Sequence, residues 1–412
     1  MLVSGVPECG RRKGRYRHGR GSGPARGTWR WRAAGVLPLL LSLVPGSAFT
    51  AQPASAAVTA NWPKFHYNDA GSGYNPREHT LSTGNVARLT AKWALTTGGA
   101  IESSAAVVNG VVYIGSDDGD VYAVEAATGA KIWAHRVGGS VASAPAVARG
   151  VVYVGSTSGT MYALSAATGA KLWGHALGAG IVSSPAVVGG TVYVGPENDN
   201  FYALSTATGA VRWRHALDSF ITSSPAVVSG VVYICSASGQ VYALSAATGA
   251  KRWAYQTNGQ SQVISSSSAA VVGGVVYIGS ASGKVFALKA ATGAKLWAYN
   301  AGLANYVVSS PAVAGGTVYV GSAGNRFYAL SAAIGAKRWS YATGQPISSA
   351  PAVANGVVYA GGDGGTVFAF RAATGAKLWS HQLGAAATSP AVVNGRVYVG
   401  SADHNVYAFG LP

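Results

Sequence analysis

The sequence predicts an all-β protein: an eight-bladed β-propeller of four-stranded antiparallel blades, its ring closed by pairing of the N-terminal Trp93 strand with the C-terminal blade. Three observations predict it. Eight tryptophans, Trp93, Trp133, Trp173, Trp213, Trp253, Trp297, Trp339 and Trp379, recur 40 to 44 residues apart. Between them, short runs rich in Val and Tyr alternate with Gly-Gly, Asn-Gly and Thr-Gly turns, a pattern of strands and not of paired helices. The 412 residues hold 57 glycines and only 10% charged residues, which suits tight turns and little helix.

Residues 1–56 stand apart. They carry nine Lys or Arg against the single acid Glu8, then an apolar run from Val36 to Val44, then small residues ending at Ala54-Ser55-Ala56. This is the layout of a secretory signal cleaved after Ala56, and Pro38 and Pro45 leave the run short of a membrane span. The mature chain is therefore expected outside the cytoplasm, secreted or in the cell envelope, with no membrane span. Residues 57–88 form a lead-in segment, and residues 89–412 the propeller.

One unit is legible in Ser183-Ser184-Pro185-Ala186-Val187-Val188-Gly189-Gly190-Thr191-Val192-Tyr193-Val194-Gly195, two strands around a Gly-Gly hairpin turn. A third strand such as Met161 to Leu164 follows, then Ala-Ala-Thr-Gly-Ala and a fourth strand with the tryptophan. The last hairpin lacks a fourth strand after Phe409, while the strand around Leu89 to Leu95 precedes any hairpin; joining the two leaves no blade with an open sheet. Each indole is expected in a seam between blades, where its N–H requires an acceptor. Loss of Trp93 is expected to harm closure most.

Removing the leader lowers the net charge from +17 to +9, since residues 57–412 hold 21 basic and 12 acidic residues (21 − 12 = 9). Lys131, Lys171, Lys251, Lys295, Lys337 and Lys377 each stand two residues before a repeat tryptophan, where lysine guards an edge strand against pairing. Spread around the ring, they predict no nucleic-acid partner. Cys9 falls in the leader, so Cys235 is alone in the mature chain and expected to serve as packing.

The segment Tyr162-Ala-Leu-Ser-Ala-Ala-Thr-Gly-Ala-Lys-Leu-Trp173 and its copies resemble the tryptophan-docking repeat of PQQ-like (pyrroloquinoline quinone repeat) β-propellers. The family's usual Asp is Ser165 in this copy and Glu125, Lys289 or Arg371 in others, and Ile334 stands where Thr is usual. Asn61-Trp62-Pro63-Lys64-Phe65, Asn75-Pro76 and Leu81 to Leu89 resemble the family's lead-in. The family joins quinoprotein dehydrogenases with scaffolds such as the outer-membrane assembly lipoprotein, so the resemblance implies the fold without choosing an activity.

Variation among the copies locates candidate residues. Loops from each tryptophan strand to the next unit, and from second to third strands, differ most and are expected on one face. The candidates are Glu102, Glu197, Asp199, Asn200, Asp218, Gln262, Asn305, Tyr306, Arg326, Gln345, Asp403 and His404. Asp117-Asp118-Gly119-Asp120 lacks an EF-hand frame and is expected to be a reverse turn. His135, His175, His215 and His381 share the tryptophan face of separate blades, which predicts packing and no metal site.

No Cys-Cys pair, haem motif, nucleophile elbow, zinc helix or phosphate loop is present. The preferred expectation is a monomeric, secreted, non-catalytic module binding a protein, glycan or small ligand through its variable face, with no catalytic residue and no metal. The alternative is a quinoprotein dehydrogenase using PQQ with calcium to oxidise alcohols or sugars.

Overall fold

The computed structural model describes residues 60–257, 266–302 and 306–412. The proposed leader, Gln262 and Asn305 lie outside these residues.

Eight sheets of four antiparallel strands form the ring, the seventh extended by a parallel two-residue strand, Tyr74–Asn75, from the lead-in. Blade 1 spans residues 106–136, and blades 2 to 7 follow in sequence. Blade 8 takes its inner three strands from residues 391–410 and its outer strand from Thr90–Thr96, with Trp93 opposite Ala408. The expected closure is present.

All eight inner hairpins turn through two residues of positive φ, from Asn109-Gly110 (52° and 78°) to Asn394-Gly395 (53° and 72°). That geometry matches the right-handed twist of the flanking strands. The hairpin turns and Thr-Gly turns share one face, the turn face, joined by bonds such as Ala166 N–H to the Gly150 carbonyl (2.9 Å). On the opposite face, the loop face, second-to-third-strand loops bond to the ends of tryptophan strands, as in Leu177 N–H to Gly159 O (2.7 Å).

The seams repeat one device. Each indole N–H donates to a backbone carbonyl of the next blade at 2.8 to 3.0 Å, from Trp93 to Ala126 round to Trp339 to Ala372. In each of these seven seams a tyrosine hydroxyl, such as Tyr193 to Ala246 O (3.0 Å), reaches the same carbonyl. The closing seam differs, because blade 8 has chain ends in place of its Thr-Gly turn. There Trp379 donates to Leu89 O (3.0 Å), and the buried Tyr359 hydroxyl lacks a partner.

The Thr-Gly glycine is required twice over. Gly249 has φ +73°, and a Cβ on it would stand 2.5 Å from Trp213 Cε3; Gly230, at the same φ, has open space around it. Gly249→Ala is therefore expected to lose about 2–4 kcal/mol, overpacking added to left-handed backbone. Gly230→Ala should lose only the backbone part, about 1–2 kcal/mol. Paired urea unfolding curves check this, and equal losses would refute the indole contact as the cause.

Every outer strand begins with a β-bulge that leaves one residue unpaired just before the tryptophan. A bulge re-aims its extra side chain. That residue is aliphatic at Ile132, Leu172, Leu296 and Leu378, and basic at Lys92, Arg212, Arg252 and Arg338.

The inner strands present an unpaired edge to the central channel, and the lead-in covers it. Its carbonyls accept the N–H groups of Val107, Val147, Val227, Val271, Val313 and Val353 from Trp62, Pro63, Asp69, Ala70, Ser72 and Gly73, at 2.7 to 2.8 Å. Asn75 Nδ2 then donates to Val392 O (2.8 Å). The lead-in thus runs as an arc around the turn-face end of the channel, satisfying groups that an open edge would leave exposed.

Candidate functional site

With its turn-face end covered by the lead-in, the channel is a cup open at the loop face, a cavity of about 330 Å³. Phe65 reaches it from the lead-in, and Lys64 and His66 are buried behind, 7% and 4% exposed. The lead-in, rather than the blades, makes this a cup and not a pore.

Serines build the wall. In the repeated Ser-Ser pair, the first hydroxyl accepts an N–H from its own blade's second strand, as Ser183 does from Gly195 (3.2 Å). The second accepts from the preceding blade: Ser184 from Ala144, Ser224 from Ser184, Ser268 from Ser224 and Ser310 from Ser268, at 2.8 to 3.1 Å. A hydroxyl that accepts a backbone N–H keeps its own proton to donate. Ala144 and Ala350 interrupt the ring. Among the described residues the cup offers neutral hydroxyls and methyl groups, with carboxylates only at Glu102 and Asp363.

Of the sequence candidates among the described residues, only Glu102 lines the cup. It is exposed, and partial burial together with the neighbouring Asp117 raises its carboxyl pKa. Asp218 and Asp403 act as staples. Asp218 accepts the hydroxyls of Ser238 (2.5 Å) and Tyr242 (2.9 Å), and burial followed by this bond pushes Tyr242 up to about 12. Asp403 accepts Tyr407 OH and Gly384 N–H, both 2.9 Å; burial opposes its ionisation, but these bonds and that from Asn405 hold its pKa below the ordinary value.

Glu197 and Asp199 are exposed in the blade 3 loop, and Asn200 starts the third strand there. Tyr306 and Arg326 are exposed in blade 6, Tyr306 on the loop that enters it and Arg326 at the start of its third strand. Gln345 donates to Thr366 Oγ1 (2.6 Å), and His404 is exposed at φ 71°. These residues share the loop face but are distributed round its rim instead of meeting in one pocket.

Asp117 to Asp120 form a turn, Gly119 N–H meeting Ser116 O at 3.1 Å, with Asp118 repeating the Asp403 staple onto Tyr122 and Gly98. The four strand histidines lie in four different blades, and His381 stacks on Trp379 at 6.0 Å. Asp363 went unnoticed in the sequence. It accepts the N–H and hydroxyl of Ser348 at the cup's edge (3.1 and 2.7 Å), and the signal available was an acid at a turn position where four other units have Ala237, Ala281, Ala323 and Ala402.

Calcium takes six to eight oxygens, largely carboxylate. Among the described residues no three of His, Cys, Asp and Glu converge, and of the cup's two carboxylates Asp363 is bonded through both oxygens to Ser348. This donor set does not fit a calcium-held quinone.

The closed ring and its docked indoles are those of a PQQ-like repeat propeller. The chain belongs to the family described as outer membrane protein assembly factor BamB, whose profile matches residues 82–178, 158–309 and 303–411. The fold is similar to BamB from Moraxella catarrhalis (TM-score 0.70, 20% identity, covering 78% of this chain and 99% of that one). It is also similar to quinohemoprotein alcohol dehydrogenase from Comamonas testosteroni (0.74, 19%, 87% and 81%). The computationally designed Ika8 protein shares it too (0.68, 19%, 76% and 97%). No curated protein matches the chain. At these identities the structures share a fold and nothing narrower.

Proposed function

We propose that this chain is a non-catalytic binding module that works outside the cytoplasm, its loop face and cup receiving a protein, with glycans or small polar ligands as lesser candidates. The observation that carries the reading is the use made of the polar groups. Asp118, Asp218, Asp363 and Asp403 accept hydrogen bonds that brace one loop against another, and among the described residues the cup is lined by hydroxyls with no histidine, its Asp363 carboxylate tied to both the N–H and the hydroxyl of Ser348. Such bracing fixes a surface before a partner arrives, which lowers the ordering penalty of binding. Family membership supports a protein as the partner.

The test is capture from the native envelope with the whole chain as bait. Changing Tyr306 and Arg326 to Ala together is expected to lose the captured protein while leaving the melting curve unchanged. Retention of the same partner by that variant would refute the loop-face assignment. Reproducible dye-linked oxidation of alcohols or sugars by the chain supplied with PQQ and calcium would refute the non-catalytic reading.

A further inference from the structure

The charges of the described chain divide between the two faces. Nine of its acids lie on the loop face, from Glu102 and the Asp117 to Asp120 turn round to Asp403. The turn face holds a belt of cations with three acids: Glu78 is buried, Asp69 is paired with Lys64, and Glu125 is exposed beside the Thr128 hydroxyl.

The belt centres on the bulges. The bulged residue and the one before it give every blade at least one exposed cation and no acid, as in Lys171-Leu172, Lys251-Arg252 and Lys295-Leu296. The one ion pair among the described residues is Lys64–Asp69, so the belt's cations have no carboxylate partner. Apolar residues accompany them: of the six exposed large hydrophobic residues described, all but Tyr306 belong to the turn-face ends of outer strands or to the turns there. Leu172 is 55% exposed, Leu296 52%, and Ile334, in a turn where other copies have Thr, 71%.

We propose that the turn face docks peripherally on an anionic phospholipid surface, lysines and arginines meeting headgroup phosphates while the neighbouring aliphatic side chains enter the interface. Cations interleaved with exposed aliphatic groups are what such a surface selects. A belt running round the whole circumference fits a plane, whereas a nucleic-acid strand follows a groove and uses aromatic platforms. The exposed large apolar residues of this face are all aliphatic. Docked this way, the protein would present its loop face and cup away from the lipid.

Flotation of the whole chain with vesicles of phosphatidylglycerol and phosphatidylcholine tests this, against vesicles of phosphatidylcholine alone. The basic leader is common to all variants, so differences between them report on the propeller. Lys251→Glu with Lys295→Glu is expected to weaken partitioning about thirtyfold, and high salt to weaken the unaltered chain likewise. Arg136→Glu with Lys284→Glu, an equal charge change on the loop face, should leave it within about threefold. Lys251→Arg with Lys295→Arg should bind as the unaltered chain does, and Leu172→Ser with Leu296→Ser should bind more weakly. Equal partitioning of the two charge-reversed variants overturns the proposal, as does binding of duplex DNA with the same turn-face dependence and no binding to vesicles.

Discussion

Trp339→Ala is expected to lower the unfolding free energy by about 3–5 kcal/mol, the range of a large aromatic truncation in a packed core. The indole is 9% exposed. It lies against Tyr319, Phe327 and Phe370 at centroid distances of 5.9 to 6.4 Å, with Gly375 pressed to its face. It shares the seam between blades 6 and 7 with Ile347, Val358, Phe368 and the partly buried Tyr341. The hydrogen bond is the smaller part, since Tyr319 also reaches the Ala372 carbonyl (3.2 Å) and would still satisfy it. Trp339→Phe should accordingly lose much less, with about 1 kcal/mol attributable to the absent N–H. In the closing seam the hydrogen bond counts for more, because Leu89 O receives Trp379 without a companion tyrosine. Denaturant unfolding of the variants measures all of this; a Trp339→Ala loss below about 1 kcal/mol would show that the seams do not depend on their indoles.

The ring was legible because each blade repeats the same local chemistry. Two positive-φ residues per hairpin, a glycine beneath each indole and a tryptophan at fixed distance leave a sequence signature in every copy. The offset frame, Thr90–Thr96 serving as the outer strand of blade 8, could be inferred by counting strands. The cup was not legible in this way. Its wall was visible as recurring Ser-Ser pairs, but the hydroxyl bonds that link one blade to the next depend on inter-blade distances that no single copy encodes. Its floor comes from the lead-in, whose contacts reach residues hundreds of positions away, and a segment occurring once has no copies to compare.

The same limitation hid the faces. The six lysines two residues before a repeat tryptophan read as spread round a circle, which they are, yet the circle lies at one end of the molecule. Asp218 and Asp403 stood out as departures from the repeat, and departures they are; the structure uses them to tie loops together, so variation marked their location better than their role.

Acid is expected to destabilise the propeller through His66. The imidazole is 4% exposed beneath the cup and stacked on Phe65 at 5.1 Å. Burial foremost, opposed by a backbone contact at Gly71 and reinforced by the Lys64 ammonium, drives its pKa from 6.5 down to about 3. The folded chain thus keeps the ring neutral while the unfolded chain takes up a proton below about 6.5. The unfolded state then binds more protons than the folded one throughout the interval between the two values, so stability falls as pH falls from about 6.5 toward about 3. At about 1.4 kcal/mol per pKa unit the contribution amounts to a few kcal/mol. His66→Gln removes the titration and should flatten this part of the curve. The lead-in should release first, because its carbonyls cap inner-strand edges whose own blades remain paired without it. Thermal melts of both proteins from pH 3 to pH 8 give the comparison, and parallel curves would place the acid sensitivity elsewhere. Hydrogen exchange at Val107, Val227 and Val353, whose amides bond to the lead-in, would locate the loss at the channel edge.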